Sequence, residues 1–139
     1  VRADLVAFAT QLSLVVLNRF PYNNGHLLVA PQSHKATLHD LTSEELLDGL
    51  ETVRFMIRCI DAIMKPDGYN VGLNLGRAAG AGLPGHLHWH VVPRWNGDTN
   101  FMTTVGEERV IVQSLDAFWH LLRAQIEREG KLPPAVELP

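Results

Sequence analysis

The chain has 139 residues, 46% of them hydrophobic and 19% charged, with a formal net charge of −3. That is enough for one soluble domain with a buried core, and the scattered basic residues form no run that would track a nucleic-acid backbone. No apolar run approaches the roughly 18 residues of a membrane span, and no signal-peptide pattern is visible, so a cytoplasmic protein without membrane or nucleic-acid partners is expected.

In chain order, Leu12 to Leu17 is apolar and β-branched and reads as a strand. The stretch from Asn18 to Gly25 carries Pro21 and an Asn-Gly pair and reads as a turn. His26 to Ala30 reads as a second strand, antiparallel to the first. Thr42 and Glu45 form a capping box at the start of a long helix. Leu46, Leu50, Val53, Ile57, Ile60 and Met64 follow at steps of three or four, giving an amphipathic stripe that ends at Pro66-Asp67-Gly68. Cys59, the single cysteine, falls in an apolar part of this helix, and burial as an inert thiol is expected.

Tyr69 to Leu75 reads as a third strand, followed by a glycine-rich loop from Gly76 to Gly85 and a strand that runs to Pro93. Asn96-Gly97-Asp98 is a turn, Val110 to Val112 a short strand, and Ser114 the cap of a last helix with Leu115, Phe118, Trp119, Leu122 and Ile126 on its inner face. Residues 131–139 form a proline-bearing tail, expected to be mobile. The order predicts a single α+β domain over residues 1–139. It has an antiparallel sheet of about five strands, a long central helix and a C-terminal helix.

The residues that carry chemistry are His86, His88 and His90. Alternation along a strand puts all three imidazoles on one face and Leu87, Trp89 and Val91 on the other. Three readings are open from these residues alone. The row could be structural, three histidines on a solvated sheet face. It could bind a metal, since imidazole is a common ligand, with His26, His34 or His39 supplying a further donor. Or it could perform phosphoryl or nucleotidyl transfer. A neutral imidazole nitrogen attacks phosphorus near neutral pH, and a neighbouring one donates a proton.

The loop before the row favours the third reading, because glycines let the backbone approach a ligand closely and successive N–H groups can cradle an anion. It lacks the terminal Gly-Lys-[Ser/Thr] of a Walker motif and precedes a strand where a dinucleotide fingerprint would precede a helix.

These residues match a known pattern. The run His86-Leu87-His88-Trp89-His90-Val91-Val92 resembles the signature of the histidine triad family of nucleotide hydrolases and transferases. Asn18-Arg19, Asn24-Gly25-His26-Leu27-Leu28-Val29-Ala30-Pro31, Leu38-His39-Asp40-Leu41 and Gly72-Leu73-Asn74-Leu75-Gly76 match its other elements in the right order. The likeness spans roughly residues 12 to 127. The stretch Pro93 to Phe101 is similar to the fragile-histidine-triad branch and to diadenosine polyphosphate phosphorylases, and His90 keeps the third histidine that one transferase branch replaces with glutamine.

The resemblance implies an enzyme acting at a nucleoside α-phosphate, with dinucleoside polyphosphates as substrates and a covalent nucleotidyl-histidine intermediate. His88 would be the nucleophile. His90 would donate to phosphate or to the bridging oxygen, and His86 would orient the nucleophile through a relay with His26. Asn74 would meet the α-phosphate, Asn18 the ribose, and the backbone near Gly82 and Gly85 the anionic oxygens. His34, His39 and His120 are read as structural. The resemblance also implies a homodimer, and no metal for the covalent step, with Mg²⁺ possible on the polyphosphate. A nucleotide sensor with slow turnover and a metal-dependent hydrolase are the competing readings.

Overall fold

The computed structural model describes residues 5–19, 25–80, 85–98 and 108–130, with side chains of the last segment from residue 115 onward. Five strands, β1 (Val6–Ala9), β2 (Ser13–Leu17), β3 (Leu27–Pro31), β4 (Gly68–Leu73) and β5 (Trp89–Arg94), form one sheet in the order β1-β2-β3-β5-β4. All four neighbouring pairs are antiparallel. Helix α1 (Ser43–Met64) and helix α2 (Glu108–Glu129) complete the fold, an α+β architecture.

The strands divide their side chains by the two-residue period. Leu17, Leu27, Val29 and Val91 are fully buried and share one core cluster with Met56, Cys59 and Ile60 of α1 and Phe118 and Leu122 of α2. Burial of each such aliphatic side chain stabilises the fold by about 1.5–3 kcal/mol. The intervening positions, Leu28 of β3 and His90 of β5, are paired with each other and lie on the opposite face.

Helix α1 begins as its sequence predicts. The Thr42 side chain accepts from the Glu45 backbone N–H at 3.1 Å, and the Glu45 carboxylate accepts from the Thr42 N–H at 2.8 Å. Its inner face is rotated relative to the apolar stripe. Gly49, Thr52, Val53, Met56, Cys59 and Ile60 are buried, whereas Leu50 is 49% exposed. The small Gly49 lets Trp89 of β5 approach; a Cβ there would lie 3.3 Å from Trp89 Nε1. Cys59 is buried and free, its thiol pushed up to about 12 by desolvation.

Two expectations need correction. Val110–Val112 is not a strand, and Ser114 is not a cap, because both lie inside α2, which is helical from Glu108. A β-branched run lowers helix propensity by only a few tenths of a kcal/mol per residue, too little to interrupt a helix. The fifth strand is instead β1, which no pattern had marked. Its outer carbonyls are taken by α2: Trp119 Nε1–H donates to Val6 O at 2.8 Å and Arg123 Nη1 to Ala7 O at 3.0 Å. Residues 20–24 of the expected turn and the tail 131–139 lie outside the described residues. No helix among the described residues is long and apolar enough to cross a membrane.

Gly25, at the head of β3, has φ +83°, and a Cβ there would meet Met64 Sδ and Pro93 Cγ at 3.0 Å each. Gly25→Ala is expected to destabilise the fold by at least about 1 kcal/mol from backbone strain alone. Urea denaturation checks this, an unchanged midpoint being the contrary result.

Candidate active site

The site is built where β3 meets β5. Leu28 pairs with His90, and Gly72 of β4 pairs with the same residue from the other side. His90 therefore stands in the middle of a three-strand surface, on the face away from the helices. His26 lies one step outside the Leu27–Val91 pair and is only 1% exposed. Its Nε2 lies 3.0 Å from His90 Nδ1, so one of these rings donates to the other.

His88 immediately precedes β5. Its ring centre is 5.0 Å from that of His90, at 64°. The Nδ1 of His88 is 3.1 Å from the His86 carbonyl oxygen. A carbonyl only accepts, so Nδ1 carries the proton and Nε2 of the neutral ring keeps a lone pair. That is the protonation a nitrogen nucleophile requires.

Electrostatics keep the inner rings neutral. Desolvation, then the charges that His90 and His88 would carry, lower His26 from its ordinary 6.5 to about 4. Desolvation and His88 shift His90 downward as well. Imidazoles this close cannot all be cationic without mutual repulsion.

His86 performs a different task. Its Nε2 donates to the Pro31 carbonyl at 2.9 Å, and the following residue's N–H, on Leu87, donates to the Lys35 carbonyl at 2.7 Å. Lys35 is itself held by Glu45 of α1 at 2.7 Å, and that pairing and the capping bond lower the Glu45 carboxyl to about 2. These bonds clamp the segment leading into β5 to the end of β3.

A family model described as the HIT domain matches residues 2–97, and that span contains every histidine of the row. The chain belongs to the HIT family. It is 45% identical over 125 residues to the AP-4-A phosphorylase of Mycobacterium tuberculosis, a match covering 90% of this chain and 64% of that protein. It is 37% identical over 93 residues to the bis(5'-nucleosyl)-tetraphosphatase [asymmetrical] of Schizosaccharomyces pombe, covering 67% and 50%. The chain thus spans about half to two thirds of these relatives' lengths. Among solved structures, the C. elegans NitFhit protein superposes with a TM-score of 0.75 at 26% identity, over 90% of this chain and 28% of that one.

The positions implied by the HIT resemblance can now be placed. His26, His88 and His90 come together. The expected relay between His86 and His26 is absent. The strand register carries them to opposite ends of the row, His26 to His90 and His86 to Pro31. Orientation of His88 comes from the His86 backbone oxygen rather than its ring. Asn18 is brought to His26, its Nδ2 lying 3.2 Å from Nδ1 and 3.4 Å from Nε2. Asn74 is exposed, one residue past the Leu73–Trp89 pair, on the β4 side of His88. Gly85 is exposed and Gly82 lies outside the described residues.

His34, read as structural, stacks edge-on against His86 at 4.9 Å. Its place just after β3, the strand that pairs with β5, was the available signal. His39 is exposed, and exposed His120 lies 3.8 Å from Asp116. Among the described residues, no group of three or more His, Cys, Asp or Glu has the geometry to hold a metal ion. A cleft of about 450 Å³ lies at the far end of β4 and β5, beside Asp67, Asn70, Trp95 and Asp98. Arg94 is engaged there, by Asp98 through Nε and Nη2 at 2.8 Å each and by Asn70 at 2.5 Å.

The lowered His26 has a thermodynamic consequence. The unfolded chain takes up this proton below about 6.5, while folded His26 resists it down to about 4. The stability it contributes is therefore complete above pH 6.5 and lost as pH falls toward 4. His26→Gln removes this titration, so its stability deficit against wild type should be larger at pH 7 than at pH 5. Urea midpoints at the two pH values test this, and equal deficits would count against a neutral buried imidazole.

Proposed function

We propose that this chain cleaves dinucleoside polyphosphates at a nucleoside α-phosphate through a nucleotidyl-His88 intermediate. The observation that carries the reading is the His88 ring, with Nδ1–H held by the His86 carbonyl and Nε2 left as a lone pair beside His90. In the first step the Nε2–P bond forms as the bridging P–O bond breaks. The leaving nucleotide departs with the bonding pair and takes a proton from His90. In the second step an acceptor oxygen attacks phosphorus, the P–N bond breaks, and its electron pair returns to Nε2. Asn74, on the flank of His88, is assigned to the α-phosphate, Asn18 to the ribose side, and the Gly82–Gly85 backbone to the phosphate oxygens.

Likeness to a protein named AP-4-A phosphorylase favours inorganic phosphate over water as acceptor. No protein-bound metal enters these steps, and Mg²⁺ would accompany the polyphosphate as part of the substrate. The free, buried Cys59 agrees with a reducing compartment, and we place the protein in the cytoplasm.

Single-turnover reaction with labelled diadenosine tetraphosphate tests the mechanism. Wild type should become adenylylated, His88→Ala should not, and turnover should fall on the order of 10⁴-fold or more. With phosphate the products should be ADP and ATP, and with water AMP and ATP. Unlabelled wild type with undiminished mutant turnover would refute the covalent route and favour a binding or sensing module.

We further propose a homodimer through β4. The β1 edge is covered by α2, whereas β4 ends the sheet on the other side, with Val71 42% exposed. Leu47 and Leu50 of α1 are 64% and 49% exposed, and Leu50 shares its helix flank with Ile57 and Asp61, which meet Tyr69 of β4. Among the described residues no strand pairs with the outer side of β4, and such an edge beside apolar side chains invites strand pairing. Val71→Asp should convert a dimer to monomer in sedimentation velocity; a monomeric wild type would overturn the assignment.

A further inference from the structure

The nucleophile proposed above owes its free Nε2 to one peptide group. The His86 carbonyl and the Leu87 N–H belong to the same planar unit, which in the trans form points them in opposite directions. The carbonyl faces His88 Nδ1 at 3.1 Å, and the N–H donates to the Lys35 carbonyl at 2.7 Å. Rotation of that unit would break both bonds together. We infer that Glu45, at the start of α1, is a positioning residue for His88: its carboxylate holds Lys35, and the Lys35 carbonyl holds the peptide that orients the nucleophile. This inference rests on the proposed function.

Lys35 needs an anchor from outside its own segment. Residues 33–36 belong to neither strand nor helix, so no ladder fixes the Lys35 backbone. Strand β3 ends at Pro31, and Gln32 is the last residue tied towards β2. Its N–H donates to Leu12 O at 2.8 Å, and its side chain donates to Thr10 O and Ser13 O. Beyond Gln32 the fastening passes to Glu45. Its Oε1 accepts from Lys35 Nζ at 2.7 Å and from the Thr42 N–H at 2.8 Å, and its carboxylate also takes a hydrogen bond from Ser33. The Glu45 side chain is 6% exposed and that of Lys35 28%, so salt screens this pair less than one on the open surface.

The His86 ring, bonded to the Pro31 carbonyl, anchors a side chain; the plane of the following peptide is set by Lys35. That plane matters when Nε2 takes phosphorus, because positive charge then develops on the His88 ring and its Nδ1 proton leans on the His86 carbonyl. Donation by the Leu87 N–H polarises the shared amide and strengthens that acceptor. Glu45 thus acts on the reaction through Lys35 and the backbone.

Kinetics on the full chain with diadenosine tetraphosphate test this. Glu45→Gln keeps an oxygen for the Thr42 N–H and removes the charge that holds Lys35. Its single-turnover rate of His88 adenylylation should fall on the order of tenfold or more, with the half-saturating substrate concentration unchanged. Lys35→Met leaves the α1 cap intact, should lose as much, and carries the test if Glu45→Gln does not fold. Lys35→Arg keeps the ion pair and should retain most of the rate. Thr42→Ala weakens the same helix start without releasing Lys35 and should leave the rate unchanged. Undiminished adenylylation in Glu45→Gln and Lys35→Met, or a loss that Thr42→Ala matches, would overturn the inference. So would weaker substrate affinity at an unchanged rate, which would place Lys35 in binding.

Labelling with ¹⁵N-histidine gives a readout that does not need the reaction. At mildly alkaline pH, two-bond ¹H–¹⁵N correlations should show Nδ1–H at His88 in wild type and a mixture of Nδ1–H and Nε2–H in Glu45→Gln and Lys35→Met. Nε2–H at His88 in wild type, or pure Nδ1–H in both variants, would overturn the inference even where rates fall. The expected shift without adenylyl-His88 in wild type would instead defeat the proposed function and sustain the role of Glu45.

Discussion

Everything at the site depends on three residue pairs between β3 and β5: Leu27 with Val91, Leu28 with His90 and Val29 with Trp89. They join segments whose site residues, His26 and His90, are 64 positions apart. Slippage by one residue would turn the imidazoles into the core and Val91 onto the open face. Burial of Leu27, Val29 and Val91 against α1 prevents this. The hydrophobic face of the sheet thus holds the polar face in register.

On that polar face the rings are distinguished by what their inner nitrogens meet, since they are chemically the same. A backbone oxygen behind His88 and an imidazole behind His90 give the two side chains different partners within 5.0 Å of each other. Burial of His26, with two further imidazoles close by, does the remaining work by withholding charge from it. The bonds from His86 and Leu87 to Pro31 and Lys35 fix the backbone that supplies the His88 acceptor, so packing well outside the reaction centre determines the state of the nucleophile.

Much of this was legible in the residues. The Thr42–Glu45 cap, the two-residue period of His86, His88 and His90, and the β-branched strands before Pro31 each carry a strong local signal. Partnerships across the sheet do not. Alternation shows that three histidines share a face, but only the β3–β5 register shows that His26 meets His90 and that His86 meets a carbonyl. The same limit hid β1, whose Val-Ala-Phe-Ala run has little alternation of its own and is held by Trp119 and Arg123 of a helix more than a hundred residues away. Val110–Val112 misled for the converse reason, a local β preference outweighed by the helix around it.

The central placement of β5 also bears on how the molecule assembles. β1, β2 and β3 form a meander of neighbours, joined by short connections. By contrast, β5 enters between β3 and β4, and its pairing with β3 closes a loop that contains all of α1. Such closure carries a conformational-entropy cost that only the completed pairing offsets. The active site therefore exists only once the histidine strand lies between β3 and β4, and without that insertion β3 would be an open edge.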